Sequence, residues 1–260
     1  MTPLHDAVIE GDEETTKHLR ATWQNARDEL GFIPLELAQF LGQYRCAELL
    51  GGKFPEAFKA RYRSEKTLKH VSLENFEKAF DITYAPFLRF ESYQSLRQTI
   101  ENCPYILRSH WLAKENYEWT DRFHEELRNG TTAQLSIRWI DHRLGYGAFA
   151  DADISSGEYV GEYTGMVRPI SRKHPDQNAY CFHYPTRFWS LKYFVVDGLH
   201  CGNLMRFVNH SDRPNLQPLC LVDRGLLHLV FVAKEHIPKG TQLTFDYGQD
   251  YWIRRQKIDL

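Results

Sequence analysis

The 260-residue chain has no long hydrophobic run and no even set of cysteines. No apolar stretch approaches the ~18 residues of a membrane span, so neither a membrane segment nor a membrane partner is expected. The N-terminus is polar and acidic, unlike a secretory leader, which is basic and then apolar. Five scattered cysteines are unlike a disulfide framework and favour an intracellular, reducing compartment.

A strong excess of positive charge is also missing. The net charge is −2, and residues 1–52 carry 4 basic and 9 acidic side chains, a balance of −5. Residues 53–130 sum to +1 and residues 131–260 to +2. Since no segment carries the basic excess typical of a nucleic-acid-binding protein, no direct nucleic-acid binding is expected.

The first notable feature that the sequence does contain is an internal repeat. The pattern consists of a Pro-Leu pair followed by Ala, Gly and Leu. Its first copy is Pro3-Leu4, Ala7, Gly11 and Leu19, and its second copy, 31 residues later, is Pro34-Leu35, Ala38, Gly42 and Leu50. Proline suits the first turn of a helix, and glycine suits its end. The spacing resembles the ankyrin repeat, a turn followed by two short antiparallel helices. A pair of generic helical hairpins remains the alternative.

The middle of the chain, residues 53–130, is interpreted as a helical connecting region. Apolar residues such as Leu73, Phe76 and Phe80 recur at helical spacing. Asn129-Gly130 is a turn signal and a domain boundary. After it, short β-branched or aromatic segments alternate with Gly, Asp and Pro, which predicts several small sheets from strands near 136–140, 159–163, 194–196, 226–232 and 242–245.

Four motifs in this half belong together. They are Gly145-Tyr146-Gly147, Gly161-Glu162-Tyr163-Thr164-Gly165, the run from Arg206 through Asn209-His210-Ser211 to Asn215, and Phe245-Asp246-Tyr247-Gly248. In order and spacing they resemble the SET-domain protein lysine methyltransferases. The resemblance implies an α+β fold with residues 1–52 as ankyrin-like repeats and residues 131–260 as a SET domain of small β-sheets. The combination also resembles effectors of intracellular bacteria, which implies the host nucleus or cytoplasm.

The resemblance implies S-adenosylmethionine as cofactor and a lysine of a protein substrate, such as a histone or another basic protein, as acceptor. The implied cofactor-binding residues are Gly145, Tyr146, Gly147, Arg206, Asn209, His210 and Tyr247. Glycine lets backbone approach a ligand closely, although a plain turn explains the Gly-Tyr-Gly motif equally well. For Arg206, a salt bridge that fixes the loop is the alternative. A non-catalytic ankyrin/SET interaction scaffold is the alternative function.

The implied catalytic residues are Tyr247, Tyr180 and Phe245. A lysine amine must be neutral to accept a methyl group, and at its usual pKa of ~10.4 this costs about 4–5 kcal/mol at pH 7. A dry aromatic channel lowers that pKa by desolvation. Phe245 lies two residues before Tyr247, so both side chains share a face if the segment is a strand. Phe245 resembles the family position where tyrosine or phenylalanine governs how many methyl groups are added. Phenylalanine at this position implies di- or trimethylation.

The chain departs from the family where many members bind zinc. Asp212 follows Asn-His-Ser in place of cysteine, and no cysteine follows Cys220, so no metal is expected. Tyr251 and Trp252 are the candidates to close the channel instead. A competing metal site would combine two Cys/His pairs, Cys181 with His183 and His200 with Cys201, although neither spacing is usual for zinc.

Overall fold

The N-terminal helices form two hairpins in the computed structural model, which describes residues 1–102, 110–170, 178–184 and 193–252. Their bounds are α1 Pro3–Glu10, α2 Glu13–Trp23, α3 Pro34–Leu41 and α4 Tyr44–Leu49. α1 and α3 both end at a glycine with positive φ, +73° at Gly11 and +63° at Gly42. The helical hairpins predicted from the 31-residue repeat are present, and α1 packs on α3 while α2 packs on α4.

Residues 53–130 are not the purely helical connection that we expected. They hold α5 Leu73–Phe80, α6 Tyr93–Glu101 and α7 His110–Asn129, but also β1 Ala57–Arg61, β2 Lys69–Ser72 and β3 Thr83–Tyr84. In β1, the buried Phe58 and Ala60 alternate with the half-exposed Lys59 and Arg61, a period-two pattern too short to stand out in the sequence. The boundary at residue 130 cuts through a sheet, because β1 pairs with a strand beyond it.

That sheet has the strand order β2-β1-β4-β5, with β4 Leu135–Asp141 and β5 Gly145–Ala150. A second sheet, β12-β13-β6, consists of Leu216–Asp223, Leu226–Ala233 and Tyr159–Glu162. A third, β7-β9-β8, consists of Met166–Ile170, Tyr193–Asp197 and Cys181–Tyr184. Two short parallel pairs join β10 Cys201–Gly202 to β3, and β11 Asn209–His210 to β14 Thr244–Phe245. The five strands predicted after residue 130 are all present.

One hydrophobic cluster runs from Leu4 and Leu37 in the N-terminal helices to Phe231 and Leu243 in the C-terminal sheets. At the seam, Arg224 in the β12–β13 turn donates two hydrogen bonds of 2.8 Å to the carboxylate of Glu36 in α3. The N-terminal helices are therefore part of the same core as the C-terminal sheets. Within the described residues, no helix combines the length and apolarity needed to span a bilayer.

Candidate active site

A large cleft lies where the predicted motifs converge, and its volume is about 1430 Å³. The parallel pairing of β11 with β14 places His210 beside Phe245 and Asn209 beside Thr244. Motifs that lie more than thirty residues apart in sequence thus meet at one place. The cleft is lined by every predicted site residue except Gly147, namely Gly145, Tyr146, Tyr180, Arg206, Asn209, His210, Phe245 and Tyr247.

Tyr247 follows the short strand β14, and its hydroxyl donates a hydrogen bond of 2.9 Å to the carbonyl oxygen of Val208. Its backbone N–H donates to Nδ1 of His210 at 3.2 Å, so the side chain is fixed to the β11 segment at both ends. Burial raises the pKa of Tyr247, and the neighbouring Tyr251 and Tyr180 raise it further. The hydroxyl is consequently neutral at physiological pH and offers lone pairs without a full negative charge.

Tyr180 stands at the rim of the cleft with 37% of its surface exposed, and it is held from below. The guanidinium of Arg206 lies 4.4 Å from the centre of its ring. The buried hydroxyl of Tyr163 donates to its carbonyl oxygen at 2.7 Å. Tyr180 is thus placed by a cation–π contact and by hydrogen bonds at its backbone with Tyr163, Asn178 and Gly198.

Arg206 has partners other than those expected. It donates to the carbonyl oxygens of Gly198 at 2.8 Å and Leu199 at 3.0 Å, where the sequence suggested a cofactor contact or a salt bridge. Burial lowers the pKa of this guanidinium, while the nearby Tyr180 and Tyr163 raise it. Its guanidinium supports the Tyr180 ring, although Arg206 also reaches the cleft wall.

Asn209 and Gly147 form a close contact behind the cleft. The side-chain amide of Asn209 donates to the carbonyl oxygen of Tyr146 at 3.2 Å. A Cβ at Gly147 would lie 3.0 Å from Asn209 Nδ2 and 2.7 Å from Ile140 Cδ1. Gly147 therefore does not line the cleft itself, and its missing side chain leaves room for Asn209.

His210 is buried and faces aromatic rings on two sides. Its ring centre is 5.4 Å from that of Tyr247 and 4.8 Å from that of Trp252. Nε2 lies 3.3 Å from a carboxylate oxygen of Asp212 but makes no hydrogen bond among the described residues. A buried ring nitrogen without a hydrogen bond indicates a position where a ligand or a rearranged side chain provides the missing partner.

Phe245 forms the apolar floor with two other phenylalanines. Its ring is 4% exposed and lies 4.8 Å from Phe231 and 5.5 Å from Phe182. The ring of Tyr247 is 4.6 Å away, so the two side chains face the same cleft, as the period-two argument predicts. A floor of phenylalanine rings offers no hydroxyl to hold a water molecule.

Tyr251 and Trp252 of α8, Gln249–Trp252, cover the cleft beside Tyr247, as proposed from the sequence. Trp252 stacks nearly parallel to Tyr247, with an interplanar angle of 10° and ring centres 6.0 Å apart. Tyr251 meets the same ring edge-on at 4.6 Å. A short aromatic helix thus forms one wall of the cleft beside Tyr247.

The residues present fit the implied cofactor. The cleft joins accessible backbone at Gly145, where a Cβ would meet nothing within 4 Å, to the amide of Asn209 and an aromatic wall. A sulfonium is attracted to aromatic faces, and an adenine ring stacks on them. Gly145, Tyr146, Asn209 and His210 would hold the cofactor, with Tyr247 against its reacting end.

No metal centre is formed in the described part of the chain. Among those residues, no three His, Cys, Asp or Glu side chains are placed to hold an ion. Cys181, His183, His200 and Cys201 therefore do not assemble into the competing site that the sequence left open.

Sequence reasoning missed Tyr163 and Phe182. Tyr163 is 3% exposed, lines the cleft and holds Tyr180, while Phe182 stacks on Phe245. Tyr163 was visible as the aromatic residue inside Gly161-Glu162-Tyr163-Thr164-Gly165, and that position was its only signal. Phe182 follows Tyr180 by two residues, so strand alternation alone would have placed it on the same face.

Comparison with known proteins matches residues 145–248 to the family model of the SET domain. These residues are thus similar to a SET domain, which supports the resemblance of the four motifs. Among relatives, it is 34% identical over 111 residues to histone-lysine N-methyltransferase Set8 of Drosophila melanogaster, covering 40% of this chain and 16% of that protein. N-lysine methyltransferase KMT5A-A of Danio rerio is 29% identical over 152 residues, covering 55% of this chain and 44% of that protein.

The chain thus spans less than half the length of these relatives. A solved structure of ATXR5 in complex with histone H3.1 mono-methylated on R26 aligns with a TM-score of 0.55 at 20% identity. The alignment covers 72% of this chain and 88% of that chain, and it supports the fold.

Proposed function

We propose that the protein transfers a methyl group from S-adenosylmethionine to the side-chain amine of a lysine in a protein substrate. The observation that carries this proposal is the convergence of Asn209, His210 and Tyr247 on one aromatic cleft. When bound, S-adenosylmethionine supplies a methyl group whose bond to sulfur breaks as the bond to the lysine nitrogen forms. The proton that makes the lysine nitrogen cationic leaves to solvent before the attack.

The residues of the chain contribute positioning and desolvation. The rings of Phe245, Tyr247 and Trp252 exclude water from a lysine stem and lower the pKa of its amine. The neutral hydroxyl of Tyr247 donates its proton to Val208, so at the reacting nitrogen it accepts a hydrogen bond and adds no charge. Alignment of a neutral amine with the methyl group then provides the larger part of the rate.

We also propose a degree of methylation from the floor of the cleft. Because Phe245, Phe231 and Phe182 carry no hydroxyl, an amine that already bears methyl groups can rotate there. We assign di- or trimethylation to this arrangement.

For the substrate we propose a histone or another basic protein. The relatives named above are histone-lysine or N-lysine methyltransferases, and the N-terminal helices of this chain carry a −5 charge that suits a basic partner. The two stacked hairpins support the ankyrin-like assignment of residues 1–52, a module suited to recruiting protein. A secreted effector acting in a host nucleus or cytoplasm remains our proposal for its setting.

The test is a binding and labelling pair on the purified chain. Calorimetry with S-adenosylmethionine measures cofactor affinity, and isotope-labelled cofactor with a cell extract reveals methylated proteins, whose sites are mapped by mass spectrometry. We expect binding together with lysine labelling that Tyr247→Phe removes. Binding without any labelling would support the non-catalytic scaffold, and absence of both would reject the cofactor site.

A further inference from the structure

The β1–β2 hairpin concentrates positive charge that the segment sums conceal. Residues 57–72 carry five Lys or Arg side chains and one acidic side chain, Glu65, a balance of +4 in a chain of net −2. We call the basic face the set formed by this hairpin and its neighbour β4, which comprises Lys59, Arg61, Arg63, Lys66, His70 and Arg138. Most of the hairpin residues are exposed.

The strand register puts the central members on one side of the sheet. β1 and β4 pair in parallel with Arg61 opposite Arg138, and β1 and β2 pair antiparallel with Lys59 opposite His70. Register partners on adjacent strands lie about 5 Å apart. The other side of β1, with Phe58 and Ala60, is buried in the core, so the cations face outward.

Two lysines of the hairpin have carboxylate partners, Lys59 with Asp151 and Lys69 with Glu65. The three arginines do not, within the part of the chain that is described. Arg61 donates to the carbonyl oxygen of Trp139 at 3.0 Å, and Arg138 donates to Ser136 Oγ at 3.0 Å. Burial lowers the pKa of Arg138, and Arg61 contributes in the same direction against Asp151. Asp151 thus offsets the charge of Lys59, whereas Arg61 and Arg138 are held by neutral oxygen atoms, an arrangement that an added anion would stabilise.

The aromatic rings of this face are already covered. Arg138 lies over Phe149 at 4.8 Å and Arg63 over Trp139 at 5.4 Å. A partner that stacks bases on bare rings would find none among these residues. Guanidinium groups bind phosphate with paired hydrogen bonds, and duplex DNA supplies one charge per ~1.7 Å of its axis, a density that a row of fixed cations matches.

We propose that the basic face binds the phosphate backbone of duplex DNA, without reading its sequence. The face ends at the β4–β5 turn, where Arg143 and Leu144 also line the cleft, so bound DNA would lie beside the substrate entrance. The proposal differs from the expectation of no direct nucleic-acid binding. That expectation used the summed charge of residues 53–130, in which the acidic helices cancel the positive charge of the hairpin. DNA binding does not depend on methyl transfer, so it is testable separately.

The experiment measures fluorescence anisotropy of a labelled 30-base-pair duplex against salt concentration. The test variant is Arg61→Gln/Arg63→Gln/Arg138→Gln, and the matched control is Arg45→Gln/Arg97→Gln/Arg122→Gln, which changes the net charge equally elsewhere. We expect the test variant to lose tenfold or more in affinity at low salt, and its salt slope to fall by about 1 per lost contact. The control should stay within twofold of wild type.

Equal losses in both variants, or no binding by the wild type at low salt, would overturn the proposal. Displacement of DNA by poly-glutamate at equal charge would also overturn it and assign the face to an acidic protein. A parallel measurement with single-stranded DNA distinguishes recognition of duplex geometry from attraction to phosphate charge alone. Tighter binding of the single strand would contradict the proposal that the face binds duplex DNA. If the triple variant does not fold, Arg63→Gln/Lys66→Gln in the exposed loop replaces it, and unchanged binding by that variant counts against us.

Discussion

The hydroxyl of Tyr247 donates to the carbonyl oxygen of Val208, the residue directly before Asn209. This bond connects the two motifs that form the site, since Tyr247 also donates its backbone N–H to His210. The catalytic hydroxyl is therefore oriented before any ligand enters. A group that is already in place contributes to rate without a further ordering cost.

Tyr247→Phe should leave the fold intact and remove most methyl transfer. The lost hydrogen bond costs about 1 kcal/mol of unfolding free energy, which the buried ring contacts tolerate. Tyr159→Phe is the control, because the Tyr159 hydroxyl is buried outside the cleft without a hydrogen-bond partner among the described residues. Turnover is measured with labelled cofactor and folding by thermal melting. Turnover of Tyr247→Phe equal to the control would reject the assigned role.

Gly147→Ala should weaken cofactor binding without touching the cleft wall. The new Cβ would lie 3.0 Å from Asn209 Nδ2, and the amide must move from its bond to Tyr146. We expect a loss of about tenfold in cofactor affinity by calorimetry, similar to Asn209→Ala. Gly240→Ala provides the control, since open space surrounds that position and the alanine adds only the backbone cost of a φ of +89° far from Asn209. Unchanged affinity in both Gly147→Ala and Asn209→Ala would remove Asn209 from the cofactor site.

The sequence located the site better than it located the elements around it. Asn209, His210 and Tyr247 stand in contiguous motifs, so their residue types and spacing were sufficient. Arg206 stands in the same motif, but its partners are carbonyl oxygens of Gly198 and Leu199 that carry no side-chain signal. Strand β1 was missed because it is only five residues long and the side chains of its outward face are mostly basic. The helical spacing of the segment that follows therefore dominated the interpretation. Pairing with β4 across 77 residues is a tertiary property that local patterns do not contain.

Gly42 should matter for stability because Arg89 crosses it. The guanidinium of Arg89 occupies the space of a Cβ at Gly42, and the Arg89 backbone donates to Gly165 beside β7. Gly42→Ala and Gly51→Ala both place alanine at positive φ, which costs about 1–2 kcal/mol each. Gly51 has nothing within 4 Å, so only Gly42→Ala adds the cost of moving the Arg89 guanidinium from its position over the Tyr44 ring, about 0.5–1 kcal/mol. Urea unfolding of the two variants measures the difference, and equal losses would contradict the contact.

His228 makes part of the stability depend on pH. Burial alone would lower its pKa, but the carboxylate of Glu162, 2.7 Å from Nδ1, raises it above the usual 6.5. The folded state then binds more protons than the unfolded state above pH 6.5. The contribution of His228 is full below pH 6.5 and is lost as the pH rises through the folded value.

The unfolding free energy should therefore fall from pH 6 to pH 9 in the wild type, and this slope should flatten in His228→Gln. His236→Gln, at an exposed histidine, is the control and should keep the wild-type slope. Urea unfolding across this pH range provides the measurement. A wild-type slope in His228→Gln would show that the pair with Glu162 does not carry the effect.

Phe245→Tyr should shift the product toward monomethyl-lysine while preserving the first turnover. The added hydroxyl would stand beside the ring of Tyr247, 4.6 Å between ring centres, and hold water where further methyl groups need room. Phe149→Tyr is the matched control, because it adds the same hydroxyl to a half-buried ring that does not line the cleft. Intact-mass spectra of the product with excess cofactor distinguish the degrees. Only monomethyl product from the unmodified enzyme would refute the assignment, because the phenylalanine floor would then leave no more room than a tyrosine does.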